Sequence, residues 1–210
     1  MSEEINIEWN DTYRLWWPSN ENENVYKRML NRVTDVDKAV KYCKSHGVAV
    51  QAGGFIGMWP ARLARWFVEV YTFEPIPHLC ECTKKNTSHL PNVRVHNSGL
   101  SSRMGQMLIA QKRGGCSKMY TDDTAAEKPL TVPVATIDSL SLIRCDLIML
   151  DVETHELEVL QGAAETIGTF RPVVVLETGE ETRREYDEFM RRWKYEPSEK
   201  THADVVYTPR

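Results

Sequence analysis

The feature that most restricts this chain is a succession of short apolar runs, each closing on glycine or an acid and each separated from the next by a helical stripe. Val48-Ala-Val50 leads into Gln51-Ala-Gly53-Gly54-Phe55-Ile56-Gly57, and Val68-Glu-Val-Tyr-Thr-Phe73 closes at Glu74-Pro75. Val93–His96 precedes Asn97-Ser98, Cys145-Asp-Leu-Ile-Met-Leu-Asp151 ends in acid, and Arg171-Pro-Val-Val-Val-Leu176 closes at Glu177. Apolar runs of about 4–8 residues bounded by turn residues read as buried strands. Between them, Val36, Ala39, Val40 and Cys43 recur at helical spacing, which predicts a helix from Asp35 to near His46-Gly47. Leu63, Ala64 and Phe67 mark a second helix with Pro60 in its first turn, and a third covers roughly 77–87. Leu157, Leu160, Ala164 and Ile167 mark a fourth, and Tyr186, Phe189, Met190 and Trp193 a fifth. Asp204-Val-Val-Tyr207 reads as a terminal strand. This alternation predicts a Rossmann-like α/β fold, a doubly wound and mostly parallel sheet with helices on both faces.

The rhythm fails in two places. Residues 1–35 carry Trp9, Trp16 and Trp17 and a polar stretch, Ser19–Asn24, without clean periodicity. Three tryptophans need burial, so this segment reads as an N-terminal arm packed on a domain spanning 36–210. Between about 101 and 133, Gln106–Ala110 and Lys118–Tyr120 flank Arg113-Gly-Gly115, which predicts a β-hairpin insertion with its tip at the glycines.

Composition narrows the class. In 210 residues, 41% are hydrophobic and 27% charged, enough for one folded domain and too apolar for a disordered chain. No apolar run approaches the ~20 residues of a spanning helix, and the acidic opening is unlike a secretory leader, so no membrane partner is expected. With 26 Lys+Arg against 30 Asp+Glu, the charge of −4 offers no footprint for nucleic acid. The five cysteines, Cys43, Cys80, Cys82, Cys116 and Cys145, are odd in number and scattered, which fits reduced thiols in the cytoplasm. His78, Cys80 and Cys82 lack zinc-site spacing and a second pair of ligands, so no metal is expected. A homo-oligomer is left open.

Ligands of open α/β sheets bind outside the carboxyl ends of the strands, where strand order reverses. The Gln51–Gly57 turn lets backbone approach a ligand closely and presents a helix start to it. Glu74, at the next strand end, is placed to accept both hydrogens of a ribose diol. Asp151, Glu153 and His155 stand at a third strand end. Together these favour a cofactor that carries a nucleoside. The turn is not G-x-G-x-x-G, because Phe55 and Met58 interrupt it, which argues against a nicotinamide enzyme.

On these residues the chain resembles the FkbM family of class I S-adenosylmethionine-dependent methyltransferases. The strongest match is Leu147-Ile-Met-Leu-Asp151-Val-Glu153-Thr-His155-Glu156-Leu-Glu-Val-Leu-Gln-Gly162-Ala. Val70–Pro75, Thr131–Asp138 and Arg171-Pro172 leading to Glu177 support it, so the resemblance spans about residues 45–180. The Gln51-Ala-Gly-Gly turn is similar to that of phage-encoded members. The resemblance implies S-adenosylmethionine as cofactor, held by Gln51, Gly53, Gly54, Phe55, Gly57, Glu74, Asn97, Ser98 and Asp151. Family members usually open this turn with Asp and read Gly-Ala-Asn. Here Gln51 and Phe55 replace Asp and Asn, and Thr154 replaces a usual Gly.

The implied activity is O-methylation of a hydroxyl on a small molecule or glycan. His155, whose ordinary pKa of ~6.5 suits a general base at neutral pH, is the expected catalytic residue, with Asp151 and Glu153 orienting the acceptor or the cofactor's amine. His202 and Asp204 are candidates for the edge of the same cleft. Methylation of nucleic acid is a poorer match, since neither an Asn/Asp-Pro-Pro-aromatic motif nor a Pro-Cys nucleophile is present. Protein methylation and a non-catalytic, partner-binding module on the same fold are the remaining alternatives.

Overall fold

A computed structural model of the chain describes residues 5–19, 21, 23–110, 118–119 and 129–210. The arm forms a hairpin of β1 (Ile7–Asn10) and β2 (Leu15–Pro18), then helix α1 (Glu23–Arg32). The domain continues with α2 (Asp35–Val40), β3 (Val48–Ala52), α3 (Met58–Leu63), β4 (Glu69–Phe73), α4 (Pro77–Thr87) and β5 (Val93–His96). Next come β6 (Gly99–Leu100), β7 (Gly105–Ala110), β8 (Lys118–Met119) and β9 (Pro129–Ala135). The chain ends with β10 (Leu147–Leu150), α5 (Glu156–Gln161), α6 (Ala164–Phe170), β11 (Val173–Glu177), α7 (Glu180–Arg192), β12 (Tyr195–Lys200) and β13 (Asp204–Pro209).

The main sheet has seven strands in the order β12-β13-β11-β10-β3-β4-β5. The run from β11 to β5 is parallel, and β13 is antiparallel to both of its neighbours. The strand order therefore reverses between β3 and β10. Successive side chains of a strand point to opposite faces, and the two apolar layers follow that rule. Leu147 and Met149 join Val36, Val40, Leu63 and Leu79 on one face. Ile148 and Leu150 join Leu160, Ile167, Tyr186 and Met190 on the other. Both layers are needed because a parallel sheet is apolar on each side. Among the described residues, no helix is long and apolar enough to cross a membrane.

The elements depart from expectation in identifiable ways. α2 stops at Val40 because the backbone tightens, with Tyr42 N–H donating to Ala39 and Cys43 N–H to Val40. The single helix expected through Leu157–Ile167 is two, α5 and α6, broken at Gly162-Ala163, where a Cβ on Gly162 would lie 2.1 Å from the Ser101 carbonyl. β12 has no apolar run to announce it. It is an edge strand carrying Pro197 at a register shift, a place where a missing N–H is tolerated.

In the insertion, β7 pairs antiparallel with β8 and β9, and β6 joins β9 in parallel. Arg113–Gly115, Cys116 and Tyr120 lie outside the described residues. In the arm, Trp17 is buried against Tyr13 and Tyr26, Trp16 is half-buried, and Trp9 stays 48% exposed. Asn86 of α4 fastens the hairpin, since its carbonyl accepts Trp16 N–H at 2.7 Å and its amide donates to Trp16 O at 3.0 Å. Cys80 and Cys82 are buried in the packing of α4.

Candidate active site

Two turns meet where the strand order reverses. Gly53, just past β3, has φ +84°, and a Cβ there would lie 2.0 Å from the Asp151 carbonyl oxygen just past β10. Real Cβ atoms do not approach backbone so closely, so this crossing admits only glycine. The cleft above it has two halves. One, of about 650 Å³, is walled by apolar Phe73, Ile76, Leu79, Leu100, Met107 and Ile109. The other, of about 680 Å³, is lined by Arg28, Arg32, Phe55, Trp59 and Glu177. Gly53, Glu74, Asp151 and Glu153 line both and form the shared wall.

Glu74 is 5% exposed, and its two carboxylate oxygens accept the N–H groups of Phe55 at 2.8 Å and Ile76 at 2.9 Å. Burial pushes its pKa up to about 7, against the pull of those two bonds. Each oxygen keeps a lone pair for a further donor.

The charged half is organised by Arg32, the last residue of α1. Its Nη2 lies 2.9 Å from Glu177, 3.1 Å from Asp204 and 3.3 Å from Asp151. The guanidinium carbon also sits 5.2 Å over the Trp59 ring. Asp151, Glu153 and Glu177 converge closely enough to hold a metal ion, with ligand atoms within 4.8 Å of one another. Arg32 already supplies a cation to two of them. Burial, and then Glu177, raise Asp151 well above the ordinary carboxylate range. Burial raises Asp204 to about 6, with Arg32 opposing.

The remaining expected residues are distributed unevenly. Gln51 is fully buried, its amide donating to Ala52 O and Gly53 O at 2.9 Å and its carbonyl accepting Thr72 Oγ1–H at 2.5 Å, so it braces the turn from beneath. Gly54 packs over Thr72, and Gly57 starts α3 at φ +92°. Neither lines the cleft. Asn97 spends its amide on the carbonyls of Glu74 and Pro75, tying the β4–α4 loop, while Gly99 and Leu100 reach the cleft in place of Asn97 and Ser98.

His155 lines the apolar half and is 7% exposed. Its Nε2 lies 3.0 Å from Ser101 Oγ, and its Nδ1 is buried without a hydrogen-bond partner, 3.5 Å from Glu158. Burial lowers its pKa, with Glu158 opposing, so the ring is neutral near pH 7. Asp204 meets the charged half through Arg32, and His202 turns instead to Asp35, 3.0 Å away. The sequence reading missed Arg28, Arg32 and Trp59. One usable signal was present: Val25, Met29, Val33 and Val36 continue a helical stripe backward from α2.

Two of the three positions where this chain departs from the usual family residues, Phe55 and Thr154, have left-handed backbone; Gln51, within β3, does not. Phe55 has φ +47°, and Glu153 and Thr154 have φ +54° and +78°. Asn or Gly would adopt these angles with little strain, whereas a β-branched residue there is an outlier.

The sheet order, with its single reversed strand β13 and its cleft at the β3/β10 crossing, is that of a class I methyltransferase. The chain belongs to the methyltransferase FkbM family, whose domain model matches residues 55–197. The crystal structure of methyltransferase FkbM from Methylobacillus flagellatus KT superposes with a TM-score of 0.59 at 15% identity. That match covers 90% of this chain and 56% of the other, so this chain spans little more than half of that protein. A Streptococcus mutans structure in complex with SAH matches at a TM-score of 0.52 and 10% identity, over 84% of this chain and 95% of that one. The precorrin-6y C5,15-methyltransferase of Geobacter metallireducens GS-15 matches at 0.52 and 11%, over 82% and 83%. At such identities the likeness is one of fold. No curated protein matches the chain.

Proposed function

We infer that this chain is an S-adenosylmethionine-dependent methyltransferase that acts on a hydroxyl of a small molecule or glycan. The observation that carries the reading is the two-part cleft, apolar on one side of Glu74 and charged on the other, at the β3/β10 crossing. The Gly53 cradle, which a single Cβ would fill, suits the close approach of a nucleoside chain. S-Adenosylmethionine, when bound, supplies an activated methyl group on sulfur.

The residues then divide the work. Ile76, Leu79 and Leu100 enclose the base, and Glu74 accepts from the ribose diol. Asp151 and Glu153, on the wall between the halves, face the space where an acceptor hydroxyl must align behind the methyl carbon. A carboxylate raised by burial is a competent acceptor for the hydroxyl proton, and Asp151 is such a group. His155, bonded to Ser101, is better placed to order the β10–α5 turn than to take that proton.

Calorimetric titration with S-adenosylmethionine and S-adenosylhomocysteine, beside Glu74→Ala, tests the reading. Micromolar binding that the variant loses supports it and justifies a screen of hydroxylated acceptors. A folded protein that binds neither ligand overturns it.

A further inference from the structure

We propose that Arg28 and Arg32 of the N-terminal arm grip the carboxylate of an amino-acid head group, making α1 the anchor for the far end of the cofactor. This rests on the S-adenosylmethionine reading above and assigns the charged half of the cleft to the cofactor's methionine end.

Arg28 and Arg32 are one helical turn apart, so they share a face of α1, and both line the charged half. Asp151 and Glu177 line it too, in ion contact with Arg32. Cations and anions side by side in one small space are what an α-amino acid requires, since its carboxylate and ammonium hang from a single carbon. The guanidinium of Arg32 also has capacity to spare. All three of its carboxylate contacts fall on Nη2, while its Nε is buried without a hydrogen-bond partner. A guanidinium offers five N–H donors, and a ligand carboxylate forms strong, charge-assisted bonds with such a fork. Trp59, under the guanidinium, fixes its plane.

Connectivity supplies the remaining constraint. Gly53, Glu74 and Asp151 border both halves. A ligand whose base lies against Ile76 and Leu100, and whose ribose meets Glu74, has one direction in which to continue. It passes over Gly53, where a side chain has no room, and arrives beside the Arg32–Asp151 ion pair. The ammonium then faces Glu177, and the carboxylate faces α1.

The test compares S-adenosylhomocysteine with 5′-methylthioadenosine, which keeps the nucleoside and the sulfur but lacks the amino-acid head. Calorimetry on the full chain would use wild type, Arg28→Ala, Arg32→Ala and Arg32→Lys. Arg28 is exposed, so Arg28→Ala leaves the buried ion cluster in place if Arg32→Ala fails to fold. The alanine variants are expected to lose about 10- to 100-fold in affinity for S-adenosylhomocysteine, while methylthioadenosine changes by less than ~2-fold. Arg32→Lys, which keeps the charge but not the fork, should fall between. Unchanged affinity for S-adenosylhomocysteine, with a raised acceptor KM, would overturn the proposal and give the charged half to the acceptor. Equal losses for both ligands would also overturn it, by showing that the arm only supports the fold. Wild type that binds neither ligand would remove the cofactor reading itself, a result distinct from both.

Discussion

The two turns that cross at the centre of the cleft both hold left-handed backbone, yet they meet that demand differently. At Gly53 the positive φ coincides with the Asp151 carbonyl 2.0 Å from any added Cβ, so angle and space together demand glycine. At Glu153-Thr154 the angles are similarly unusual, but Thr154 is exposed and its side chain has room. Only the angle counts against it there, at a cost of roughly 1–3 kcal/mol for a non-glycine residue in that region. Phe55 is intermediate, strained at φ +47° but 6% exposed and packed in the core with Ile56, Trp59 and Leu79. A left-handed site thus enforces glycine when a neighbour blocks the Cβ, and otherwise only discourages other residues.

The largest effect should come from Gly53→Ala. The alanine methyl has no flexible neighbour to move, so a loss of about 3 kcal/mol in stability is expected, together with the loss of nucleoside binding. An unchanged urea midpoint would break the distinction between the two turns. Phe55→Asn restores the residue usual in the family, yet it should destabilise. Relief of about 1 kcal/mol of strain is outweighed by about 2–3 kcal/mol of lost apolar burial. A net gain in the same urea experiment would show that strain, not packing, dominates at that position.

Glu74 links the first turn to pH. Its carboxyl is raised to about 7 by burial, so the protonated form is the one the fold favours. Its contribution to stability is therefore complete below the ordinary carboxylate pKa and is lost as pH rises through about 7. Ribose hydroxyls donate to the ionised form, so ligand affinity should run the opposite way. It should tighten by up to ~10-fold per pH unit below the folded pKa and level off above it. Titrations at pH 6 and pH 8, in buffers of different ionisation enthalpy, would show protons released only at the lower pH. Pronounced weakening of the ligand between those two values would remove Glu74 from the diol. Thr154→Gly should have the smallest effect, a gain of about 0.5 kcal/mol, because relieved strain exceeds the extra chain entropy that glycine loses on folding. A lower melting temperature would mean that Thr154 makes a compensating contact.

Much of the fold was legible because its causes are local. The runs at Val48, Val70, Leu147 and Val173 are apolar on both faces, and the helix expected over roughly 77–87 is α4, Pro77–Thr87. β12 and α1 escaped notice for the same physical reason. Each buries only part of itself, so neither repeats an apolar period strongly enough to be read alone.

Within the cleft, residue type at successive strand ends pointed to Gly53, Glu74, Asp151 and Glu153, all of which line it. It was a poor guide to orientation. Gln51, Asn97 and His155 stand at the expected positions, but the amides of the first two donate to backbone carbonyls and Nε2 of His155 is engaged by Ser101. Whether a side chain faces a cleft or its own turn depends on dihedral angles set by neighbours, which the order of residues does not display.

The sequence alone determined a parallel α/β sheet, the turns that ring its carboxyl edge and the family to which they belong, because apolar periodicity and glycine act over a few residues. Only the tertiary structure decided that the cleft has an apolar and a charged half, and that Arg32 closes the second. Arg32 and Asp204 are 172 residues apart, and nothing in either one's neighbourhood foretells their 3.1 Å contact. That ion cluster exists because the sheet brings three strand ends together and the arm returns over them. Such a contact acts through space, and the linear chain carries no local trace of it.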